Sequence, residues 1–391
     1  MSRIEATPTP SVLRWARESA SLSIQAAAGK ADVKPDQLAN WENGTTRPSL
    51  PQLRKLAQVY RRPLAAFYLP EPPIRFEVMH DFRRLTKGEH PRTPQLALEI
   101  RKAYDRREWA IELSAELDEE LPEFKVSASP SAGVEETAQR IRAALGITTA
   151  IQVGWKQDYE AFNGWRAVLE HAGILTLQAT DLPLEEARGF SISLKPLPVV
   201  VVNIKDAPRG RIFTLLHELS HVALNEGGIC DLHDADTEAY CNQIAGAALF
   251  PREALLDSTT VRAHRKGDAT WTDEELRELS RQFGGSREAA LVRLVTLKLT
   301  TQSFYERMHR RFLQIYEEQR LRKEQSEGFA PPHVVALSSA GHLFTNLVLE
   351  NLNRENITAS DVSDYLQIRI KHLRDLRREL SREEQHKYSG V

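Results

Sequence analysis

Cysteine is scarce in this chain. Its 391 residues include only Cys230 and Cys241, too few for the disulfide framework of a small secreted fold. Each could act as a buried small apolar residue, an alternative metal ligand or a redox-sensing thiol. No apolar run approaches the ~18 residues needed to span a bilayer, and the N-terminus has no apolar signal region. A cytoplasmic location with no membrane partner is therefore expected. No excess of one charge marks the whole chain: the net charge is −2, which announces no nucleic-acid partner. Low-complexity segments and clear internal repeats are also missing. What remains is an ordinary globular composition, 41% hydrophobic and 27% charged, long enough for two or three domains with separate cores.

The most informative stretch is His217-Glu218-Leu219-Ser220-His221. Histidines four residues apart share one face of a helix. Their imidazoles can converge on one Zn²⁺, leaving positions for a third ligand and a water. Glu218 is one residue along from His217, outside the ligand pair, and is placed to take a proton from the metal-bound water. Pro208 to Leu224 reads as the helix: Ile212, Leu215, Leu216, Leu219 and Val222 form an apolar stripe at helical spacing. Pro208 suits its first turn, and Asn225 with Gly227-Gly228 is a stop signal. Before it, Leu197 to Asn203 is a β-branched run that reads as a buried strand. The alternating Gly189 to Leu194 reads as its sheet neighbour.

A third ligand is expected from Asp236 to Phe250, a second helix ending at Pro251. Glu238 in its first turn is the choice, since a carboxylate suits zinc beside two imidazoles. Asn242, four residues on, could orient a neighbouring group. Asp231, His233, Asp234 and Asp236 compete for the ligand role, and Glu238 could instead be an acid favoured by the helix dipole.

The run Phe213-Thr214-Leu215-Leu216-His217-Glu218-Leu219-Ser220-His221, a Gly-rich loop, then Glu238-Ala239-Tyr240-Cys241-Asn242-Gln243-Ile244-Ala245-Gly246-Ala247-Ala248-Leu249-Phe250-Pro251 resembles the ImmA/IrrE-type metallopeptidases. The resemblance implies a compact zincin-like core, with His217, His221 and Glu238 as zinc ligands and Glu218 as catalytic base. It also implies a substrate class, DNA-bound repressor proteins. The chain departs from the family at Ala248 and Phe250, which are packing positions.

Residues 1–75 carry eleven Lys and Arg against six Asp and Glu, a local basic excess. Short helices are predicted over Ser11 to Ser19, Ser23 to Ala28, Pro35 to Asn43 and Leu50 to Tyr60, with a fifth starting at Pro63. Gly44 closes the third, and Pro48-Ser49 restarts the chain. Ala28, Val33, Leu38, Trp41-Glu42-Asn43-Gly44, Pro48-Ser49-Leu50 and the run Leu53 to Tyr60 make this segment similar to the XRE family, the Cro and lambda-repressor type of helix-turn-helix. The resemblance places Pro35, Asp36, Gln37 and Asn40 toward the major groove, and Asn43, Thr45, Thr46 and Arg47 near phosphates. Ile24 stands where such domains carry a phosphate-contacting Gln, with Gln25 adjacent. Asp36 opposes phosphate approach unless it accepts from a cytosine amine. The rival role is a helical module that docks on protein.

Leu69 to Pro73 is a Pro-rich hinge, and Asp81-Phe82-Arg83-Arg84 reads as a solvated turn. Charged helices are predicted over Pro94 to Leu121 and Val134 to Leu145. After Pro251 the chain reads as almost entirely helical: Asp273 to Phe283, Ser286 to Lys298, Gln302 to Gln325, Gly341 to Leu352, Ser360 to Ile368 and Ile370 to Glu383. The pair around Phe283-Gly284-Gly285-Ser286 reads as a helical hairpin rather than a second helix-turn-helix. The last helix is a solvated or dimerising one, which leaves a homodimer open.

The expected fold is mainly α with a small β-sheet (α+β). It divides into a helix-turn-helix domain at 1–70, a linker and helical support at 71–150, a zincin-like core at 151–256 and a helical C-terminal domain at 257–391. The expected function is a zinc endopeptidase tied to transcription control, acting on a repressor-type protein and reaching DNA through its N-terminal domain. One alternative is a DNA-binding regulator or antitoxin-like protein with a silent or structural protease site. Another, a small-molecule zinc hydrolase, fits the N-terminal module poorly.

Overall fold

The computed structural model describes residues 5–72, 93–129, 131–224, 235–325 and 330–388. Asp81-Phe82-Arg83-Arg84, Cys230, Asp231, His233 and Asp234 lie outside them. The chain forms two compact units, Met1–Lys102 and Ala103–Val391, and its fold is α+β.

The first unit opens with α1 (Pro10–Ser19), α2 (Ile24–Ala31), α3 (Pro35–Glu42) and α4 (Leu50–Tyr60), followed by a 3₁₀ turn at Leu64–Tyr68. Leu13, Leu38, Trp41, Leu56, Tyr60 and Phe67 form its core. Ser23 Oγ accepts from Ala26 N–H and caps α2. That helix runs three residues beyond its expected end, because Gly29 faces open space and Asp32 closes the turn at φ 57°. A buried ion pair ties α1 to α3: Arg17 Nε and Nη2 donate to the two Glu42 carboxylate oxygens at 2.7 and 2.9 Å. Gln52 Oε1 accepts from Ser49 N–H and Oγ–H, fixing the start of α4.

Helix α5 (Pro94–Glu116) ends five residues short of expectation. Asp118 turns to φ 55°, and Glu119 N–H returns to Ser114 O, closing the helix. In the second unit α6 (Val134–Ala144), α7 (Thr149–Gly154) and α8 (Asp158–His171) precede β1 (Leu175–Ala179), β2 (Gly189–Ile192) and β3 (Val199–Asn203). The sheet order is β1-β3-β2. β3 is central and wholly buried, parallel to β1 and antiparallel to β2. Next come α9 (Pro208–Leu224) and α10 (Ala235–Leu249), which pack on each other. Ile212, Leu215, Leu216, Leu219 and Val222 are all buried, as their spacing predicts.

The remaining helices are α11 (Arg252–Asp257), α12 (Thr259–Ala263), α13 (Asp273–Phe283), α14 (Arg287–Thr296), α15 (Gln302–Gln325), α16 (Pro332–Asn353), α17 (Ala359–Leu366) and α18 (Leu373–Tyr388). The hairpin α13–α14 buries Leu276, Leu279, Phe283, Leu291 and Leu294 in the same core as α9 and α10. Helix α16 starts nine residues before its expected N-terminus. Its two halves meet at Gly341, where φ 81° and ψ 167° break the helical path. A Cβ there would stand 2.6 Å from Glu170 Oε1 and 2.7 Å from Thr176 O, so only glycine fits. The break lets α16 lie on β1, where Gln178 Nε2 donates to Ser338 O, and meet α8, where Leu343 N–H donates to Glu170 Oε2.

Candidate metal centre

Three elements build the site. Helix α9 presents His217 and His221 one turn apart, and their Nε2 atoms lie 3.1 Å apart. Helix α10 brings Glu238 across: Oε2 is 3.4 Å from His217 Nε2 and Oε1 is 3.4 Å from His221 Nε2. Among the described residues this trio is the group of His, Cys, Asp and Glu whose ligand atoms converge, all within 4.8 Å. Tetrahedral zinc with bonds of ~2.0–2.1 Å separates neighbouring ligand atoms by ~3.3 Å, so the donor set and its spacing fit that ion. The His221 side chain is 4% exposed and that of Glu238 41%, so the cluster is closed behind and open in front.

Glu218 is nine-tenths buried. Ser191 Oγ, on β2, donates to Glu218 Oε2 at 2.9 Å. The strand reaches that close because Gly189 has no side chain: a Cβ there would meet Thr214 Cγ2 at 2.5 Å and Val201 O at 2.7 Å. Phe190 and Ile192 point the other way into the core. Sequence reading did not single out Ser191, although the period-two alternation of Gly189 to Ile192 places it opposite the apolar face.

Burial opposes a charge on His217. The Glu238 and Glu218 carboxylates and the Asn242 side chain outweigh it, so its pKa lies above the ordinary histidine value. Asp236, the described competitor for the third position, is exposed and outside the cluster. Tyr240 and His171 make hydrogen bonds to backbone carbonyls. Tyr240 Oη donates to the Ser129 and Ala132 carbonyls, and His171 Nδ1 lies 2.7 Å from Ala167 O.

The C-terminal end of α10 is held by side chains that sequence reading missed. Arg142 Nη1 donates to Ala248 O, Gln152 Nε2 to Leu249 O and Arg293 Nε to Phe250 O. They satisfy carbonyls that the helix leaves without partners, with positive charge where its dipole is negative. Ala248 and Phe250, where the chain departs from the family pattern, are buried packing positions.

In the first unit Gln25, Pro35, Asp36, Asn40, Asn43, Thr45, Thr46 and Arg47 are exposed and Gln37 is partly so. Asn43 Oδ1 accepts from Arg14 at 2.6 Å. Lys34 precedes α3 without capping it by its side chain, and Pro35 fills the first turn.

A buried strand, a helix with two convergent histidines and a second helix with a carboxylate together form a candidate metal centre. Residues 170–295 match the peptidase family model described as the IrrE N-terminal-like domain, and residues 13–67 match a helix-turn-helix model. The chain therefore joins an XRE-type helix-turn-helix to an ImmA/IrrE-type peptidase domain. No curated protein and no solved structure matches it. No helix among the described residues is long and apolar enough to cross a membrane.

Proposed function

We propose that this protein is a zinc-dependent endopeptidase linked to transcription control, with a repressor-type protein as substrate. The reading rests above all on the convergence of His217, His221 and Glu238 ligand atoms on one point. These residues would hold a zinc ion, which when bound would acidify water toward pKa ~7 and polarise the scissile carbonyl. Glu218 accepts the proton of the attacking water and passes it to the leaving amine. Ser191 donates to Glu218 Oε2 and so orients the carboxylate. Asn242 steadies His217. The core at 151–256 carries the chemistry, and the helices of 71–150 and 257–391 support it.

The helix-turn-helix at 1–70 brings the enzyme to DNA, where a repressor is found. Pro35, Asp36, Gln37 and Asn40 face the major groove, and Gln25, Asn43, Thr45, Thr46 and Arg47 lie near phosphates. The setting is cytoplasmic.

The test is incubation of the zinc-loaded protein with the repressor encoded beside its gene, for wild type and Glu218→Gln. Wild type cleaves; the Gln variant keeps its zinc and loses about 10²–10⁴-fold in rate. Cleavage by the Gln variant at the wild-type rate removes Glu218 from the mechanism. Operator binding without any cleavage by wild type makes the chain a regulator with a silent site.

A further inference from the structure

The connection between α12 and α13 carries a cluster that the metal centre does not use. His264 closes α12, and its side chain is 10% exposed. Its ring lies flat on the Trp271 indole, with centroids 3.8 Å apart and planes 4° from parallel. Both ring nitrogens face acceptors: Nδ1 is 2.8 Å from Glu275 Oε1 on α13, and Nε2 is 3.1 Å from Asp268 O. A carbonyl and a carboxylate only accept, and a neutral imidazole has one N–H, so the two bonds together require the imidazolium. A cation over an indole face is also attracted by the ring quadrupole. The other Glu275 oxygen accepts from Thr272 N–H and Oγ–H, which caps α13. The charged groups facing the ring are Glu275 from α13 and Asp268 from the connection, while Arg265 acts on Asp268. Burial opposes the His264 charge, but the Glu275 carboxylate and the Asp268 carbonyl outweigh it, so its pKa lies above the ordinary histidine value. Burial opposes the Glu275 charge too, and the His264 and Thr272 hydrogen bonds outweigh it, holding that carboxyl below its ordinary value.

We propose that His264 is a proton-operated clasp: as the imidazolium it joins Glu275 to the Asp268 carbonyl and closes the 264–275 connection over Trp271, and loss of the proton releases it. In the neutral ring one nitrogen turns a lone pair toward an oxygen lone pair, so one of the two bonds becomes a repulsion. Trp271 is 4% exposed, packs in the core shared by α9, α10, α13 and α14, and gives its Nε1–H to Leu299 O. The clasp therefore acts on the seating of Trp271 in that core. The sign follows from the raised pKa. The stability it adds is complete below about 6.5 and is lost as pH rises through the folded-state value.

The test uses the full chain: wild type, His264→Phe, which keeps a ring on Trp271 without a proton, and Glu275→Gln, which keeps the capping box of α13 without the charge. NMR of ¹⁵N-labelled histidine reads the His264 titration. Hydrogen exchange of the Trp271 indole N–H, compared between variants at each pH, reads the clasp. In wild type the His264 midpoint lies above about 6.5, and below it both ring nitrogens carry protons. Indole protection in wild type exceeds that in the Phe variant below the midpoint and converges on it above. In Glu275→Gln the side-chain amide can donate to Nδ1, so the neutral ring keeps both bonds. There the His264 proton affinity falls about tenfold or more, and the protection no longer follows the titration. Thermal melts check that the variants keep the fold. A wild-type midpoint at or below about 6.5, or one unchanged in Glu275→Gln, overturns the proposal. So does a wild-type advantage over the Phe variant that persists undiminished above the midpoint, since packing and not the proton would then hold the connection.

Discussion

At the scale of single residues, His217 couples the centre to pH. Its imidazole must be neutral to donate a lone pair to zinc, and Glu238 and Glu218 favour the protonated form despite burial. Protons therefore compete for the site from a higher pH than at an ordinary histidine of pKa about 6.5. Zinc affinity is predicted to be full above that raised value and to fall about tenfold per pH unit below it, for the one proton displaced. In the metal-free protein the sign is reversed. The raised pKa adds stability that is complete below about 6.5 and lost as pH rises through the folded-state value. Chelator competition across this range, with thermal melts of the metal-free protein, checks both signs. Affinity that stays flat through the histidine range contradicts the assignment of His217 as a ligand.

At the scale of elements, two helices meet on one point because each is seated by its neighbours. Arg293 has almost no exposure and holds both Phe250 O and the Glu135 carboxylate. Arg293→Ala is expected to lower stability by about 1–3 kcal/mol, the cost of leaving a buried acceptor without a partner. Denaturant unfolding reads that loss, and a zinc affinity reduced alongside it shows that α10 carries the effect. The sequence made α9 legible because an apolar stripe, a first-turn proline and a stop signal agreed over Pro208–Leu224. β3 was legible because Val199 to Val202 can hardly be anything but a buried strand. β1 was not. Thr176 and Gln178 break its apolar pattern, and their partners lie elsewhere: Thr176 Oγ1 donates to Glu170 Oε1 on α8, and Ser338 on α16, 160 residues later, meets Gln178. The caps of α10 escaped for the same reason: Arg142, Gln152 and Arg293 are separated from its end by 106, 97 and 43 positions, and no local pattern links them.

At the scale of the whole molecule, the division into Met1–Lys102 and Ala103–Val391 puts the helix-turn-helix in one unit and the candidate metal centre in the other. Arg47 is exposed after α3, in the segment the helix-turn-helix match covers. Arg47→Ala is predicted to weaken duplex binding uniformly across sequences and to reduce the slope of log K against log salt by about 1. Its zinc content should equal that of wild type. A changed zinc content would show that the first unit takes part in the centre. The helix-turn-helix was legible because its spacing of Ala28, Leu38, Trp41 and Leu53 is local and its core is small.

The most direct measurement of the central claim is the zinc content of the purified full chain by elemental analysis, for wild type and for His217→Ala, His221→Ala and Glu238→Ala. The centre predicts a single ion per wild-type chain, its loss in both histidine variants, and weakened retention in the Glu238 variant. Full retention of zinc by the His221 variant would contradict it.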